Sequence, residues 1–251
     1  MSELFGAKIL ITGPAGQIAF PLSEELARTN EVWGIARFGD PTTRERCEAV
    51  GVKTRSVDLA DPDFNGLPDD FDYVLHLAIF QTGGTDYDHA IRVNAEGTGL
   101  LMSRFRNAKA ILISSNCAVY DLNDDPRHLF VESDPLGDSK PAYAPTYPIS
   151  KIAQEATARW AAREFNLPTV IARMNASYSG NGGLPAYHLD AVCSETPIPV
   201  PPEDAYYQPI HQRDIHDQIP KLLDVAGCPA TVLNWAGDDT VSCREWCTYF
   251  G

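Results

Sequence analysis

Tyr147 and Lys151 stand four residues apart in the segment TYPISK, at the start of a helical pattern. That spacing puts both side chains on one helix face, one turn apart. A free tyrosine has a pKa of about 10 and is a poor base at neutral pH. An ammonium beside it stabilises the tyrosinate and makes proton exchange with a substrate hydroxyl or carbonyl feasible. The same spacing also arises as a plain surface aromatic–lysine pair, so the neighbouring elements decide between the two. Tyr143 has no lysine at that spacing and serves as an internal control.

Such a pair needs a hydrogen-bond donor for the reacting oxygen. Ser115 and Asn116 close a β-rich run upstream, in ISSNCAVY. Ligands of parallel sheets bind beyond the carboxyl ends of the strands, which is where such a donor belongs.

The positioning elements follow from hydrophobic patterning. Strands are expected at Ala7–Thr12, Glu31–Ala36, Val52–Val57, Tyr73–Ala78, Ala110–Ser114 and Thr169–Arg173, with helices at Gln17–Thr29, Tyr87–Phe105 and Tyr147–Phe165. Near-continuous apolar runs such as KILIT and AILIS suit strands covered on both faces. Strand–helix alternation at this spacing predicts an α/β fold, a Rossmann-type doubly wound parallel sheet. The first strand runs into TGPAGQIA, where Gly13 and Gly16 allow a tight turn and close approach of a pyrophosphate to a helix N-terminus. The second strand ends in Arg37 rather than an acidic residue. Arginine there suits the 2′-phosphate of NADP; a solvated arginine beyond the strand is the alternative. Asp58 leaves the third strand where a carboxylate can meet an adenine amino group. His76 reads as a packed strand-end histidine without a catalytic role.

Residues 1–175 are expected to form the NAD(P)-binding domain and 176–251 a small substrate-binding region, interleaved with a last sheet strand at about 230–236. The Pro-rich stretch TPIPVPPEDAYY reads as ordered loops over a binding site. The chain stops inside a helical pattern, SCREWCTYF, so the substrate cap reads as cut short.

Composition narrows the partners. Twenty Lys and Arg against 34 Asp and Glu give the 251 residues a formal charge of −14. An acidic surplus argues against nucleic acid or an anionic membrane surface. No apolar run reaches the ~18 residues of a membrane span. Six cysteines without CxxC or nearby histidines give no disulfide scaffold and no metal site, and a reduced, cytoplasmic setting is expected.

Taken in order, TGPAGQIA, Asp58-Leu59, HLA, VNAEGTGLL, ISSNCAVY, YPISK and ARMNASYSG resemble the extended short-chain dehydrogenases/reductases, specifically the NAD-dependent epimerase/dehydratase family, over roughly residues 7–240. IHQRDI and VLNWAG resemble its later signatures. The resemblance implies that Tyr147 is the catalytic acid/base and that Lys151 binds the nicotinamide ribose and tunes it. It further implies cofactor contacts at Gly13, Ala15, Gly16, Gln17 and Ile18, at Arg37, Asp58 and Leu59, and at Leu77, Ala78 and Asn94. Asn175, Tyr178 and His211 match positions bordering the substrate pocket, and dimerisation through two long helices is common among relatives.

The chain departs from that pattern in two informative places. Aligned on the following VY, the family's catalytic Ser/Thr falls on Asn116; a one-residue shift returns the role to Ser115, as in uronate dehydrogenases with an SSN motif. The arginine that usually precedes the IH element and binds a nucleotide diphosphate is replaced by Tyr206, Tyr207 and Gln208. The expected function is an NAD(P)-dependent oxidoreductase or epimerase acting on a sugar, nucleotide-sugar or related hydroxy/keto substrate, with NADP favoured by Arg37. Dehydration ranks last, because SSNCAVY supplies no carboxylate. The alternative is a non-catalytic NAD(P)-binding sensor or partner-binding protein on the same scaffold.

Overall fold

The computed structural model describes residues 4–137, 139, 141, 143–199 and 204–251. Its centre is a seven-stranded parallel sheet of β1 (Lys8–Thr12), β2 (Glu31–Ala36), β3 (Lys53–Ser56), β4 (Tyr73–His76), β5 (Ala110–Asn116), β6 (Thr169–Met174) and a late strand, Thr231–Trp235. The spatial order places the late strand first, then β6, β5, β4, β1, β2 and β3. Strand alternation builds two cores. Ile9, Ile11, Leu112 and Val170 face one helix layer, while Leu10, Ile111, Ile113 and Ile171 face the other. The strands are therefore buried on both sides, as their apolar runs require.

The first layer holds α1 (Ala19–Ala27), which starts two residues later than the sequence suggests, and α2 (Pro41–Ala49). Helix α2 escapes the hydrophobic pattern because only Cys47 is buried; its signal is the cap, where Asp40 accepts from Thr42 N with Pro41 opening the helix. The second layer holds the expected 87–105 element, but in three pieces: α3 (Tyr87–Ile91), a π turn (Arg92–Glu96) and α4 (Gly97–Arg104). The long α5 (Tyr147–Glu164) packs beside it through Ala158, Ala161 and Ala162.

Beyond residue 175 there is more structure than the Gly/Pro density suggests. In chain order β7 (Ser177–Ser179), β8 (Gly182–Gly183), α6 (Leu184–Cys193), β9 (Tyr206–Tyr207), β10 (Ile210–His211), α7 (Gln212–Asp224), β11 (the late strand, Thr231–Trp235), β12 (Val241–Ser242) and α8 (Cys243–Phe250) follow. The segments β10, β7 and β8 form a small sheet, and β12 pairs with β9. Helix α7 joins the first core through Ile215, Ile219, Leu222 and Leu223. Helix α8 begins with a capping box between Ser242 and Glu245. The Pro-rich stretch expected to form loops falls in part on residues 200–203, outside the described residues. Among the described residues, no helix is long and apolar enough to cross a membrane.

Candidate active site

The turn between β1 and α1 is built by backbone. Gly13 N donates to Ile35 O at 2.8 Å, and Gly16 N donates to Gly13 O at 2.9 Å. Gly13 has φ of +68°, and a Cβ there would lie 3.1 Å from Ala78 Cα, so only glycine fits without displacing the opposite strand exit. Helix α1 has neither a side-chain cap nor an acidic residue in its first turn, which leaves its N-terminal amides and partial positive charge to an anion. A cavity of about 270 Å³ adjoins the turn, lined by Gly13, Ala15, Gly16, Arg37, Asp58, Leu59, Leu77 and Ala78. An uncapped helix end and a glycine cradle beside a strand-end carboxylate fit a dinucleotide. Gln17 and Ile18 do not line this groove. The Gln17 amide donates to Gly182 O and accepts from Ser177 Oγ, and Gln212 Nε2 donates to Ile18 O, so both residues tie the turn to the C-terminal segment.

Tyr147 opens α5 and Lys151 follows one turn later; both are buried. The Lys151 Nζ lies 5.8 Å from the Tyr147 ring centroid and donates to Ser114 O at 2.7 Å and Gln154 Oε1 at 2.6 Å. Burial pushes Lys151 down to about 7, partly offset by Glu155. Burial, with Tyr143 and Cys117 nearby, holds Tyr147 above its ordinary value. The expected lowering of the tyrosine by its lysine is thus not found; desolvation of the phenolate dominates, and Tyr147 keeps its proton near neutral pH. Asn94 sits in the π turn, a distortion frequent at functional sites. It donates to Ser150 Oγ and exchanges two hydrogen bonds with the backbone of Phe80, which locks helix, strand exit and α5 together. Gly97, at the end of that turn, lets the helix approach the chain at Leu59: a Cβ there would sit 2.5 Å from Leu59 O.

Ser115 and Asn116 separate cleanly. Ser115 is buried and donates to Glu155 Oε1 at 2.6 Å; Glu155 also accepts from Arg173 Nε at 2.9 Å and Nη2 at 2.7 Å. Strand β5 extends to Asn116, which lines a second cavity of about 610 Å³. Its Oδ1 accepts from Ala118 N at 2.8 Å, which presents the NH₂ half of the amide as the donor. Ser115 is therefore not brought to the cavity, and Asn116 is.

Asn175 also lines the second cavity, with Oδ1 accepting from Ala176 N and Gln208 N. Tyr178 and His211 do not. Their rings pack on each other 5.1 Å apart, and His211 caps α7 by accepting from Arg213 N. The wall is aromatic, with Phe130, Tyr143, Tyr187, Tyr206 and Tyr207, and among its described residues it carries no Asp or Glu. Arg127 is the one Lys or Arg among those described residues, donating to Tyr206 OH at 2.8 Å. Nothing in the sequence singled out Arg127. Ile79 and Phe80 line the first cavity and Gln81 the second, so the two are neighbours along one strand exit.

Against known proteins, the sequence model described as NAD dependent epimerase/dehydratase family matches residues 9–192. A UDP-N-acetylglucosamine 4-epimerase from Methanobrevibacter ruminantium, solved with UDP-N-acetylmuramic acid, has a TM-score of 0.81 at 18% identity, covering 98% of this chain and 81% of that one. A UDP-glucuronic acid 4-epimerase from Bacillus cereus, with UDP-glucuronic acid and NAD, has a TM-score of 0.79 at 20% identity, covering 95% of this chain and 80% of that one. The Bordetella bronchiseptica enzyme WbmF, with NAD+, has a TM-score of 0.74 at 18% identity, covering 99% and 78%. At these identities the likeness is one of fold. The search of curated proteins found no match.

Proposed function

This chain belongs to the NAD dependent epimerase/dehydratase family, and we propose that it is an NAD(P)-dependent epimerase or oxidoreductase acting on a sugar or nucleotide sugar. The observation that carries this reading is a glycine-turn groove that adjoins an aromatic cavity along the strand exit at residues 79–81. Tyr147 and Lys151 lie buried together at the start of α5, lining neither, with Cys117 and Tyr143 of the cavity wall close to Tyr147. Gly13, Gly16 and the α1 amides would hold a dinucleotide pyrophosphate, with Asp58 and Leu59 beside its adenine and Lys151 beside its second ribose. NAD, bound there, supplies hydride acceptance and return.

The protein's own residues handle orientation and the proton. Asn116 donates to a substrate oxygen, Tyr147 gives or takes the proton of the reacting hydroxyl, and Lys151 stabilises the phenolate formed in that exchange. Arg127, on a cavity wall whose described residues include no carboxylate, supports an anionic substituent on the substrate, with Glu245 and Asp125 acting on its charge from off that wall. NAD is the cofactor in two of the related structures; Arg37, exposed at the groove, is the residue that admits NADP. Leu100 on α4 and Ile149 and Trp160 on α5 are exposed apolar residues suited to a homodimer contact. Six free thiols suit a reducing, cytoplasmic setting.

Nicotinamide absorbance followed over a panel of sugars, uronates and UDP-sugars, with sugar products separated to catch epimerisation, tests the reading. Tyr147→Phe should lower kcat by ~10²–10⁴-fold; undiminished turnover would sink the mechanism. The second reading, a cofactor-binding sensor without turnover, is favoured by the diversion of Ser115 onto Glu155. Hydride transfer to any substrate in the panel removes it.

A further inference from the structure

A buried hydrogen-bond chain joins the end of β1 to Lys151. Thr98 Oγ1 donates to Asn94 O at 2.6 Å, which uses its only proton. It therefore accepts from Gln154 Nε2 at 2.9 Å and from His76 Nε2 at 2.7 Å, so the His76 proton is on Nε2. His76 Nδ1 is then an acceptor and takes the Thr12 hydroxyl at 2.7 Å, while Thr12 Oγ1 accepts from Ala78 N at 2.9 Å. At the other end Gln154 Oε1 accepts from Lys151 Nζ at 2.6 Å. With the Thr98 proton on Asn94 O the other protons of the chain follow, and Thr12, His76, Thr98, Gln154 and Lys151 are at most 1% exposed.

One end of this chain lies at the glycine turn of the groove and the other at the start of α5. Thr12 and Ala78 flank Gly13, whereas Lys151 faces Tyr147. We propose that Gln154 is a positioning residue for Lys151, holding its ammonium in register with the Gly13 turn through Thr98 and His76. The inference rests on the catalytic reading of Lys151 given above. An amide is suited to the position because it both accepts from the ammonium and donates to Thr98. A carboxylate keeps the first bond as an ion pair and loses the second; a thioether loses both. With Ser114 O and Gln154 holding two of its three protons, the Lys151 ammonium has one left for a further acceptor.

The titratable groups around Lys151 are His76 from β4, with Tyr147 and Glu155 on its own helix, Glu155 being paired with Arg173 of β6; Cys117 and Tyr143 face Tyr147. A mere packing role for Gln154 would lower activity without moving the pH at which Lys151 titrates. Positioning predicts opposite movements in two variants. In Gln154→Met the alkaline limb of kcat/KM should fall by about one pH unit, and in Gln154→Glu it should rise by about as much. NAD affinity by calorimetry should weaken roughly tenfold in Gln154→Met, as expected when one hydrogen bond to a charged group is lost. Limbs that stay put in both variants, or shift together, overturn the proposal. Thermal melts establish that each variant folds, and if Gln154→Met does not, Gln154→Glu decides alone. The imidazole ¹⁵N shifts of His76 in the wild-type protein should report the Nε2–H tautomer; an Nδ1–H ring reverses the chain and overturns it. If the wild type turns over no substrate, the catalytic reading fails by itself. The NAD affinities and the His76 tautomer then decide, and wild-type NAD affinity in both variants sinks the positioning role.

Discussion

Ser115 donates its hydroxyl to Glu155 at 2.6 Å, within a buried ion pair that Glu155 makes with Arg173. Its neighbour Asn116, on the opposite face of β5, takes the cavity wall instead. The two residues thus have separable roles. Ser115→Ala should lower stability by about 1–3 kcal/mol, since it leaves a buried carboxylate oxygen short of a donor, while kcat/KM stays within about twofold. Asn116→Ala should do the reverse, lowering kcat/KM by ~10–100-fold with little change in unfolding midpoint, as expected for loss of one donor to a reacting oxygen. Urea titration beside steady-state kinetics on both variants checks this, and a large activity loss in Ser115→Ala would return the donor role to the serine.

That division was only half legible in the sequence. Alternation along a strand puts Ser115 and Asn116 on opposite faces, but which face meets the cavity depends on where β5 ends, and it runs to Asn116 rather than Ser114. The parallel sheet, the glycine turn and α5 were readable because burial on both faces and helix periodicity write themselves into local patterns. Helix α7 was not expected, although Ile215, Ile219, Leu222 and Leu223 form an apolar stripe; Pro220 lies inside it and works against a helical pattern. Tyr178 and His211 were misplaced because their motif fixes backbone position and not where the rings point. Arg127 had no local signal, since its partner Tyr206 lies 79 residues away in sequence.

Arg37 sits exposed on the groove wall after β2, close to Asp58 in the same lining. If it admits a 2′-phosphate, Arg37→Asp should weaken NADP binding by ~10–100-fold while leaving or improving NAD binding, because a bidentate, charge-assisted contact is replaced by repulsion. Fluorescence titration of both cofactors against wild type and variant reads this directly. Equal, unchanged NADP affinity in the variant would make Arg37 a solvated arginine.

His76 is fully enclosed between Thr12 and Thr98, and burial, aided by the Lys151 charge, pushes it down to about 3. The unfolded chain, with histidine near 6.5, binds this proton first as the pH falls. Stability therefore holds above pH 6.5 and should be lost between about 6.5 and 3, with a slope of up to about 1.4 kcal/mol per pH unit from this group. Urea midpoints at pH 7, 6, 5 and 4, compared with His76→Asn, measure it; the variant should be less stable at pH 7 but lose less on acidification. Parallel slopes in the two proteins would show that His76 is not the titrating group.

Arg127 stands on a cavity wall whose described residues include no Asp or Glu, in a protein whose net charge is −14. A carboxylate or phosphate entering that cavity therefore moves against the general field of the molecule and meets one local guanidinium. Two contacts hold that guanidinium: its Nη2 donates to Tyr206 OH, and its Cζ lies 4.8 Å from the Tyr206 ring centroid. The tyrosine thus presets the arginine on the wall and leaves the rest of its donor fork for a ligand. Arg127→Ala should raise KM for uronates and nucleotide sugars by ~10–100-fold, the worth of a hydrogen bond between charged groups, and change KM for neutral sugars by less than about threefold. Tyr206→Phe should show the same selectivity more weakly, because the ring contact survives while the hydroxyl anchor is lost. A KM increase shared equally by charged and neutral substrates would mean that Arg127 shapes the cavity without reading charge.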